Sequence, residues 1–212
     1  MFIAELIGSF LLVATVIGSG IMGEAMSDGN NAVALLGNTI ATGAILFVLI
    51  KMFGPISGAH FNPAVSIIFF LRKELDFKNL LFYICYQMIG GLLAVITIHY
   101  IFEMEIFQLS TNIRGEIPLL ISEIIATTGL ILTILFIRKH DEASVATAVA
   151  LFITAGYWFT SSTSFANPMV TISRIFTDTF TGIAPVSVPY FLIGQVVAIF
   201  VAHFTYKAFD EN

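Results

Sequence analysis

Charged residues are scarce in this chain. Only 11% of its 212 residues are Asp, Glu, Lys or Arg, whereas 58% are hydrophobic; ordinary soluble domains carry about 25% charged residues. The composition therefore predicts an all-α protein that crosses the lipid bilayer several times. The net charge of −5 is spread over loops and tails, and because no basic patch is present, nucleic acid is excluded as a partner.

Cysteine is also nearly absent. Cys85 is the one cysteine, so neither an internal disulfide nor a Cys-x-x-Cys pair is possible. The histidines show no metal-ligand spacing, and no nucleophile, base and orienting group stand together in the sequence. The sequence therefore predicts no metal, no cofactor and no catalytic residues, and an enzyme is the least favoured class.

Long apolar runs make up most of the chain. Runs of about 20 residues can cross a hydrocarbon core of about 30 Å. Spans are predicted at 2–22, 32–53, 79–101, 117–138, 144–163 and 186–207. The first span carries Glu5 near its start and has no basic leader or clear cleavage site, so we interpret it as a retained helix rather than a signal peptide.

Two Asn-Pro pairs lie between these spans. The sequence at 57–66 reads Ser-Gly-Ala-His-Phe-Asn-Pro-Ala-Val-Ser, and that at 164–171 reads Ser-Phe-Ala-Asn-Pro-Met-Val-Thr. Asn is a good helix cap and Pro suits the first helical turn, which predicts helices at 63–71 and 168–177. At about 14 to 15 Å, each would cross roughly half of the bilayer core. Such broken helices are tolerated in lipid where they line a wet cavity, so the pattern predicts a pore.

The order of elements is three spans and one half-helix, repeated. Polar residues recur at matching places in the two copies. The pairs are Glu5 with Glu123, Asn62 with Asn167, and Gln87 with Gln195. We therefore expect one channel domain over 1–212, made of repeats at about 1–101 and 117–208. Because three spans is an odd number, the second copy is inverted, with the site at the midplane.

Basic residues indicate the orientation. Seven of the nine fall on one side of the predicted spans: Lys51, Arg72, Lys73, Lys78, Arg138, Lys139 and Lys207. The positive-inside rule makes that side cytoplasmic. The sequence thus predicts a multi-pass protein of the cell (inner) membrane with both termini in the cytoplasm, and Arg114 and Arg174 outside.

The two Asn-Pro half-helices in matching repeats closely resemble the major intrinsic protein family, the aquaporins and aquaglyceroporins, over essentially the whole chain. The resemblance implies six tilted helices plus two reentrant half-helices, a homotetramer with one pore per subunit, and a passive route for water or small neutral solutes. The motif residues are Asn62, Pro63, Ala64, Asn167, Pro168 and Met169. By the same likeness, Asn62 and Asn167 would donate amide hydrogens to passing hydroxyls, and Glu5 and Glu123 would accept from backbone N–H groups of the half-helix loops.

The second motif departs from the family, in which most members have Asn-Pro-Ala-Arg. Val170 stands where the family's selectivity-filter Arg would be. Counting back from the two Asn residues gives the other filter positions as Thr42, Ala155 and Ser164. A filter without an aromatic, a His or a cation would be wider than that of water-selective members, and suits glycerol-like solutes or neutral metalloid hydroxides such as arsenous acid. The run from 170 to 185 is similar to a bacterial branch of the family often linked with metalloid movement.

Several assignments have alternatives. Arg174 would supply a positive charge at the outer vestibule, or would instead reach the membrane interface or pair with Asp178. His60 would line the cytoplasmic half of the pore, or be a packed and hydrogen-bonded side chain. Glu5 and Glu123 would brace the loops, or relay protons.

The function also has alternatives. A secondary transporter shares inverted repeats and broken helices, but coupling would need ionisable residues at the midplane, where the two motifs offer amides. A scaffold role would need interaction loops or tails, and the loops here are short.

Overall fold

The computed structural model describes residues 1–210. Within them the regular secondary structure is helical, and no strand is present. Its helices are α1 (Phe2–Met26), α2 (Asn31–Ser57), α3 (Pro63–Leu71), α4 (Phe77–Ile101), α5 (Ile117–His140), α6 (Val145–Phe159), α7 (Pro168–Ser173) and α8 (Val188–Asp210). Short 3₁₀ turns precede α6 and α8 and follow α7. The short helices α3 and α7 are called the half-helices below.

Within residues 1–210, six helices are long and apolar enough to cross a membrane, as the sequence predicted. These helices also carry apolar side chains on their outward faces, which suits contact with lipid rather than water. Examples on α4 are Leu81, Ile89 and Leu93, all exposed. The helix ends differ from the predicted spans by a few residues; α2, for instance, continues through Pro55 to Ser57.

Local sequence explains where several helices begin and end. Asn30 Oδ1 accepts hydrogen bonds from two backbone N–H groups of the first turn of α2, at 3.0 and 3.3 Å. Asp76 caps α4 in the same way, 2.8 Å from the Asn79 N–H. Helix α2 stops at Gly58, whose φ of 80° is a left-handed conformation that glycine adopts without strain. Side-chain caps and one glycine therefore fix these boundaries.

The second half-helix is shorter than predicted. The sequence indicated a helix over 168–177, but α7 ends at Ser173 and continues as a 3₁₀ turn over Arg174–Phe176. Beyond α7 the chain bonds to distant segments: the oxygen of Arg174 accepts from the Ile183 N–H at 3.0 Å, and that of Ile175 accepts from the Ser110 N–H at 2.9 Å. These contacts satisfy the carbonyls that follow the end of α7.

Both half-helices are enclosed by protein. Helix α1 packs most extensively against α4, and α5 against α8. Gly90 and Gly194 permit these close contacts, since a Cβ there would lie 2.3 and 2.7 Å from backbone oxygens of α1 and α5. The half-helices contact both α4 and α8, α3 also contacts α5, and the two touch each other. The ends of both half-helices therefore face protein rather than lipid.

Candidate functional site

The two half-helices meet through their capping Asn residues. Asn62 Nδ2 donates to the carbonyl of Ala166 at 2.7 Å, and Asn167 Nδ2 donates to the carbonyl of Phe61 at 2.9 Å. Each Oδ1 accepts from a backbone N–H in the first turn of its own half-helix. A carboxamide has two N–H donors, so within residues 1–210 each side chain keeps one donor that these contacts do not use.

The loops that lead into the half-helices share an unusual backbone. Ala59 and Phe61 have φ of 52° and 46°, and Ser164 and Ala166 have φ of 49° and 47°. These residues stand three and one before each Asn. Left-handed backbone conformations are rare for residues other than Gly and Asn. Contacts with neighbouring side chains must therefore hold both loops in this shape.

Two buried carboxylates make those contacts. Glu5 on α1 accepts from the N–H groups of His60 and Phe61 at 3.0 and 2.7 Å. Glu123 on α5 accepts from the N–H groups of the two residues before Asn167, at 3.0 and 2.9 Å. Both glutamates are fully buried. Consecutive N–H groups that converge on one carboxylate stabilise a strained loop.

A cavity of about 830 Å³ extends past this crossing point. One end is lined by residues such as Met1 and Glu74, the middle by Asn62 and Asn167, and the other end by Arg174. The predicted site residues in its wall are His60, Asn62, Asn167, Thr42, Ser164, Val170 and Arg174. The cavity thus brings together half of the side chains singled out from the sequence, including three of the four predicted filter residues.

Ala155 is the one predicted filter residue outside the cavity wall, and its assignment to the filter was wrong. It is exposed on the outer side of α6 and is not in the cavity wall. The side chain of α6 that reaches the cavity opposite Thr42 is Tyr157, whose hydroxyl lies 3.1 Å from Thr42 Oγ1. A helix turns about 100° per residue, so an error of two positions points the side chain away from the pore.

The periodicity of α6 contained the signal for Tyr157. Ala146, Val149, Ile153 and Tyr157 are all buried and all line the cavity. They follow each other at intervals of three and four residues, the spacing of one helix face. Extending this face to the end of α6 leads to Tyr157, whereas the count from Asn167 depended on the length of an irregular loop.

Arg174 is buried at the far end of the cavity. Its guanidinium carbon lies 3.6 Å from the centroid of the Phe165 ring, and its Nε donates to the carbonyl of Thr181. Asp178 instead accepts from the backbone N–H of Thr111 at 2.8 Å. The structure therefore shows neither an interfacial Arg174 nor an ion pair with Asp178.

Phe165 has a second cation nearby. The guanidinium carbon of Arg114 lies 5.5 Å from the same ring, and its Nη2 donates to the Ser161 carbonyl at 3.1 Å. The two arginines that the sequence placed on the outer side are thus neighbours around one aromatic ring, and Arg174 also lines the cavity.

His60 both lines the cavity and is held by protein contacts. Its ring stacks on Phe69 with 4.6 Å between centroids, and Nδ1 lies 3.1 Å from Ser66 Oγ. The two alternatives considered for this residue are therefore compatible.

The opposite mouth of the cavity carries a salt bridge between the two halves of the chain. Glu74, in the turn after α3, lies 2.8 Å from Arg72 Nε and 2.5 Å from Arg138 Nη1 at the end of α5. Burial alone would raise the pKa of Glu74, but hydrogen bonds and the charges of both guanidinium groups outweigh it and lower the pKa below its ordinary value. Glu74 thus ties the two halves together in its charged form.

Within residues 1–210, six spans surround two facing half-helices and a cavity, which is the arrangement of a membrane channel. The family model described as major intrinsic protein matches residues 1–147. This chain belongs to the major intrinsic protein family. The resemblance noted from the sequence is therefore confirmed.

A relative of similar sequence supports this membership, and a solved structure shows the same fold. The chain is 47% identical over 196 residues to the aquaglyceroporin AqpS of Rhizobium meliloti (strain 1021). This alignment covers 92% of this chain and 83% of that protein. Its fold is similar to the X-ray structure of the aquaglyceroporin from Plasmodium falciparum, with a TM-score of 0.67 over 93% of this chain and 92% of that one, at 20% identity.

Proposed function

We propose that this protein is a passive channel for water and small uncharged solutes that carry hydroxyl groups, such as glycerol or neutral metalloid hydroxides like arsenous acid. The observation that supports this most directly is the crossed pair Asn62 and Asn167. Within residues 1–210, each keeps one N–H donor that the crossed bonds do not use, and both side chains line a cavity whose wall is mainly apolar. A solute oxygen accepts from these donors in turn as it passes.

Ion exclusion follows from the same arrangement. The N-termini of both half-helices meet at the Asn pair, and a helix N-terminus carries a partial charge of up to about +0.5. A cation stripped of water at this point loses on the order of 20 kcal/mol of solvation before compensation. Two positive helix ends offer no compensation, whereas a neutral solute keeps its hydrogen bonds.

The outer constriction sets the size limit. Thr42, Tyr157, Ser164 and Val170 line the cavity there, so the constriction contains an aromatic ring that the sequence analysis did not place in it, and Val170 provides no charge. A constriction with a short aliphatic side chain in place of a guanidinium admits solutes larger than water. We assign the positive charge of the outer vestibule to Arg174, which lies one turn beyond Val170.

Assembly and orientation are also proposals. Family likeness supports a homotetramer with one pore per subunit and two inverted repeats, at about 1–101 and 117–208. The cluster of Arg72, Arg138 and Lys51 at the Met1 end of the molecule supports a cytoplasmic location for that end and for both termini.

Stopped-flow light scattering on proteoliposomes tests this function. In an impermeant sugar gradient, we expect faster shrinkage than in empty liposomes. In glycerol, we expect shrinkage followed by reswelling, at a rate proportional to the gradient and independent of sodium or proton gradients. A rate that saturates at low solute concentration and needs an ion gradient would instead indicate a secondary transporter.

Two variants on α6 make the test specific to the cavity. Val149 is buried in the cavity wall, whereas Leu151 is exposed on the outer face two residues away. Val149→Trp should block water and glycerol flux, and Leu151→Trp should leave both unchanged. Equal fluxes in two folded variants would place the route outside this cavity.

A further inference from the structure

His99 is a fully buried polar side chain near the C-terminal end of α4. Its Nδ1 lies 3.0 Å from the carbonyl oxygen of Ile106, in the loop between α4 and α5. Its Nε2 lies 2.9 Å from Thr177 Oγ1, in the loop that follows α7. One imidazole thus joins α4 to two loops that are far apart in the sequence.

These two contacts determine which ring nitrogen carries the hydrogen. A carbonyl oxygen only accepts, so His99 Nδ1 is the donor to Ile106. Within residues 1–210, the ring forms no ion pair with a carboxylate, and a buried charge without a partner is costly. The ring is therefore neutral, its Nε2 is an acceptor, and the Thr177 hydroxyl donates to it.

Two more threonine hydroxyls continue from Thr177. Thr179 Oγ1 lies 3.0 Å from Thr177 Oγ1, and Thr181 Oγ1 lies 3.4 Å from Thr179 Oγ1. Each hydroxyl has a single proton, and that of Thr177 is used on His99. Thr179 therefore donates to Thr177, and Thr181 donates to Thr179. The acceptor nitrogen of His99 thus sets the direction of all three hydroxyls.

The row of hydroxyls ends beside Arg174. The carbonyl of Thr181 accepts from Arg174 Nε, and within residues 1–210 the guanidinium makes no other hydrogen bond to protein. Thr181 is 1% exposed and packs closely on α1, because a Cβ on Gly20 would lie 2.2 Å from its methyl carbon. The place of the guanidinium over the Phe165 ring therefore depends on where Thr181 is held.

We propose that His99 is a positioning residue for Arg174. Its Nε2 orients the three threonine hydroxyls, and Thr181, the last of them, holds the guanidinium beside Phe165. The inference rests on the proposed channel function, in which Arg174 supplies the positive charge of the outer vestibule. Before each half-helix a carboxylate accepts from backbone N–H groups, whereas after α7 a neutral imidazole nitrogen accepts from a hydroxyl.

His99→Asn and His99→Gln separate the roles of the two ring nitrogens. The short Asn amide takes the place of Nδ1, so it still donates to Ile106 but offers Thr177 no acceptor. The longer Gln side chain brings its Oε1 near the place of Nε2 and keeps that acceptor. If His99 acts through Thr177, only His99→Asn should release Arg174. If His99 fills space or holds the Ile106 loop, His99→Asn should be no worse than His99→Gln.

NMR spectra of ¹⁵N-arginine-labelled protein in detergent report on Arg174 directly. Its Nε–H signal is the one that disappears in Arg174→Lys. This N–H is buried and bonded to the Thr181 carbonyl, so it should exchange slowly with water in the wild type and in His99→Gln. In His99→Asn we expect exchange about five-fold faster, the factor that corresponds to the ~1 kcal/mol of one neutral hydrogen bond.

¹⁵N-histidine labelling checks the tautomer on which the proposal depends. The His99 signals, identified by their absence in His99→Gln, should show hydrogen on Nδ1 and none on Nε2. Hydrogen on Nε2 would overturn the proposal, because Thr177 would then have no acceptor in the ring.

Proton leak in vesicles, measured with a pH-sensitive dye, tests the functional consequence. His99→Asn should raise the leak toward the level of Arg174→Ala, and adding it to Arg174→Ala should raise the leak no further. His203→Asn is the matched control, since His203 is partly buried on α8 against Phe204, and its leak should equal that of the wild type. Thermal unfolding in detergent verifies that each variant is folded.

The outcomes separate the two proposals. Wild-type vesicles that pass neither water nor glycerol would overturn the proposed function, while the NMR spectra would still decide the role of His99. An unchanged Arg174 Nε–H signal in folded His99→Asn, or an equal change in His99→Gln, would overturn only the positioning role. Additive leak in the double variant would also count against it, since His99 would then act apart from Arg174.

Discussion

Glu5 and Gln87 share a buried hydrogen bond of 2.7 Å between Oε2 and Nε2. Gln87 Nε2 also lies 3.0 Å from Ser66 Oγ on the first half-helix. Gln195 makes the equivalent bond to Glu123 at 2.6 Å. In each half of the chain, one carboxylate thus joins two long helices to the loop that carries the Asn-Pro motif.

Replacing Glu5 by Gln should destabilise the protein and close the route. The carboxylate accepts from two backbone N–H groups and from Gln87. The amide nitrogen of a Gln side chain carries N–H donors of its own, so it would face these donors without forming hydrogen bonds. We expect a loss of roughly 2 to 4 kcal/mol in the free energy of unfolding. Thermal unfolding in detergent and water permeability in proteoliposomes measure the two effects.

Glu105→Gln is the control for this change, because Glu105 is exposed. Its unfolding temperature and water permeability should match those of the wild type. If Glu5→Gln kept wild-type stability but lost a proton-dependent component of flux, Glu5 would be a proton relay rather than a brace for the loop.

The centre of the pore was accessible to sequence reasoning. Asn62 and Asn167 were singled out because each caps a predicted half-helix between the spans, and Glu5 and Glu123 because they recur near the starts of matching spans. The family resemblance then gave the two glutamates their expected role as braces of the loops. The crossed hydrogen bonds between the two Asn residues required coordinates.

The outer constriction was less accessible. The position taken for α6, Ala155, depended on the number of residues in the loop before Asn167, and a helix face changes with every residue added or removed. The carbonyls just beyond α7 bond to Ser110 and Ile183, which are far away in the sequence. The contact of Arg174 with Phe165 likewise follows from how the loop folds back.

Val170→Arg tests whether this position limits solute size. Val170 is 5% exposed and faces the cavity, so a guanidinium there must extend into the passage. We expect glycerol permeability to fall at least about ten-fold while water permeability falls less. Val186→Arg, at an exposed site near the same end of the molecule, should change neither. Equal glycerol flux in both variants would show that the constriction lies elsewhere.

Arg174→Ala tests the charge of the outer vestibule. Removing a buried guanidinium from the cavity wall lowers the electrostatic barrier to cations, so proton leak should rise by several-fold, as measured with a pH-sensitive dye in vesicles. Arg174→Lys retains the charge without the planar contact to Phe165 and should keep leak near the wild-type level. Unchanged leak and unchanged solute flux in folded Arg174→Ala would leave Arg174 without this role.

Glu74→Gln tests the salt bridge at the other mouth. Because the pKa of Glu74 is lowered from its ordinary value of 4.5, the carboxylate favours the folded state. This stabilisation is complete above pH 4.5 and is lost as the pH falls through the lower pKa of the folded protein. Glu74 is partly exposed, so we expect at most ~1 kcal/mol.

Unfolding temperatures measured from neutral pH into acid check the sign of this effect. The wild type should unfold at a higher temperature than Glu74→Gln near neutral pH, and the difference should vanish in acid as Glu74 takes up its proton. Glu142→Gln, at an exposed site near the same mouth, should match the wild type throughout. A difference that persists or grows in acid would mean that Glu74 stabilises the protein through packing and not through its charge, because only the charged form attracts Arg72 and Arg138.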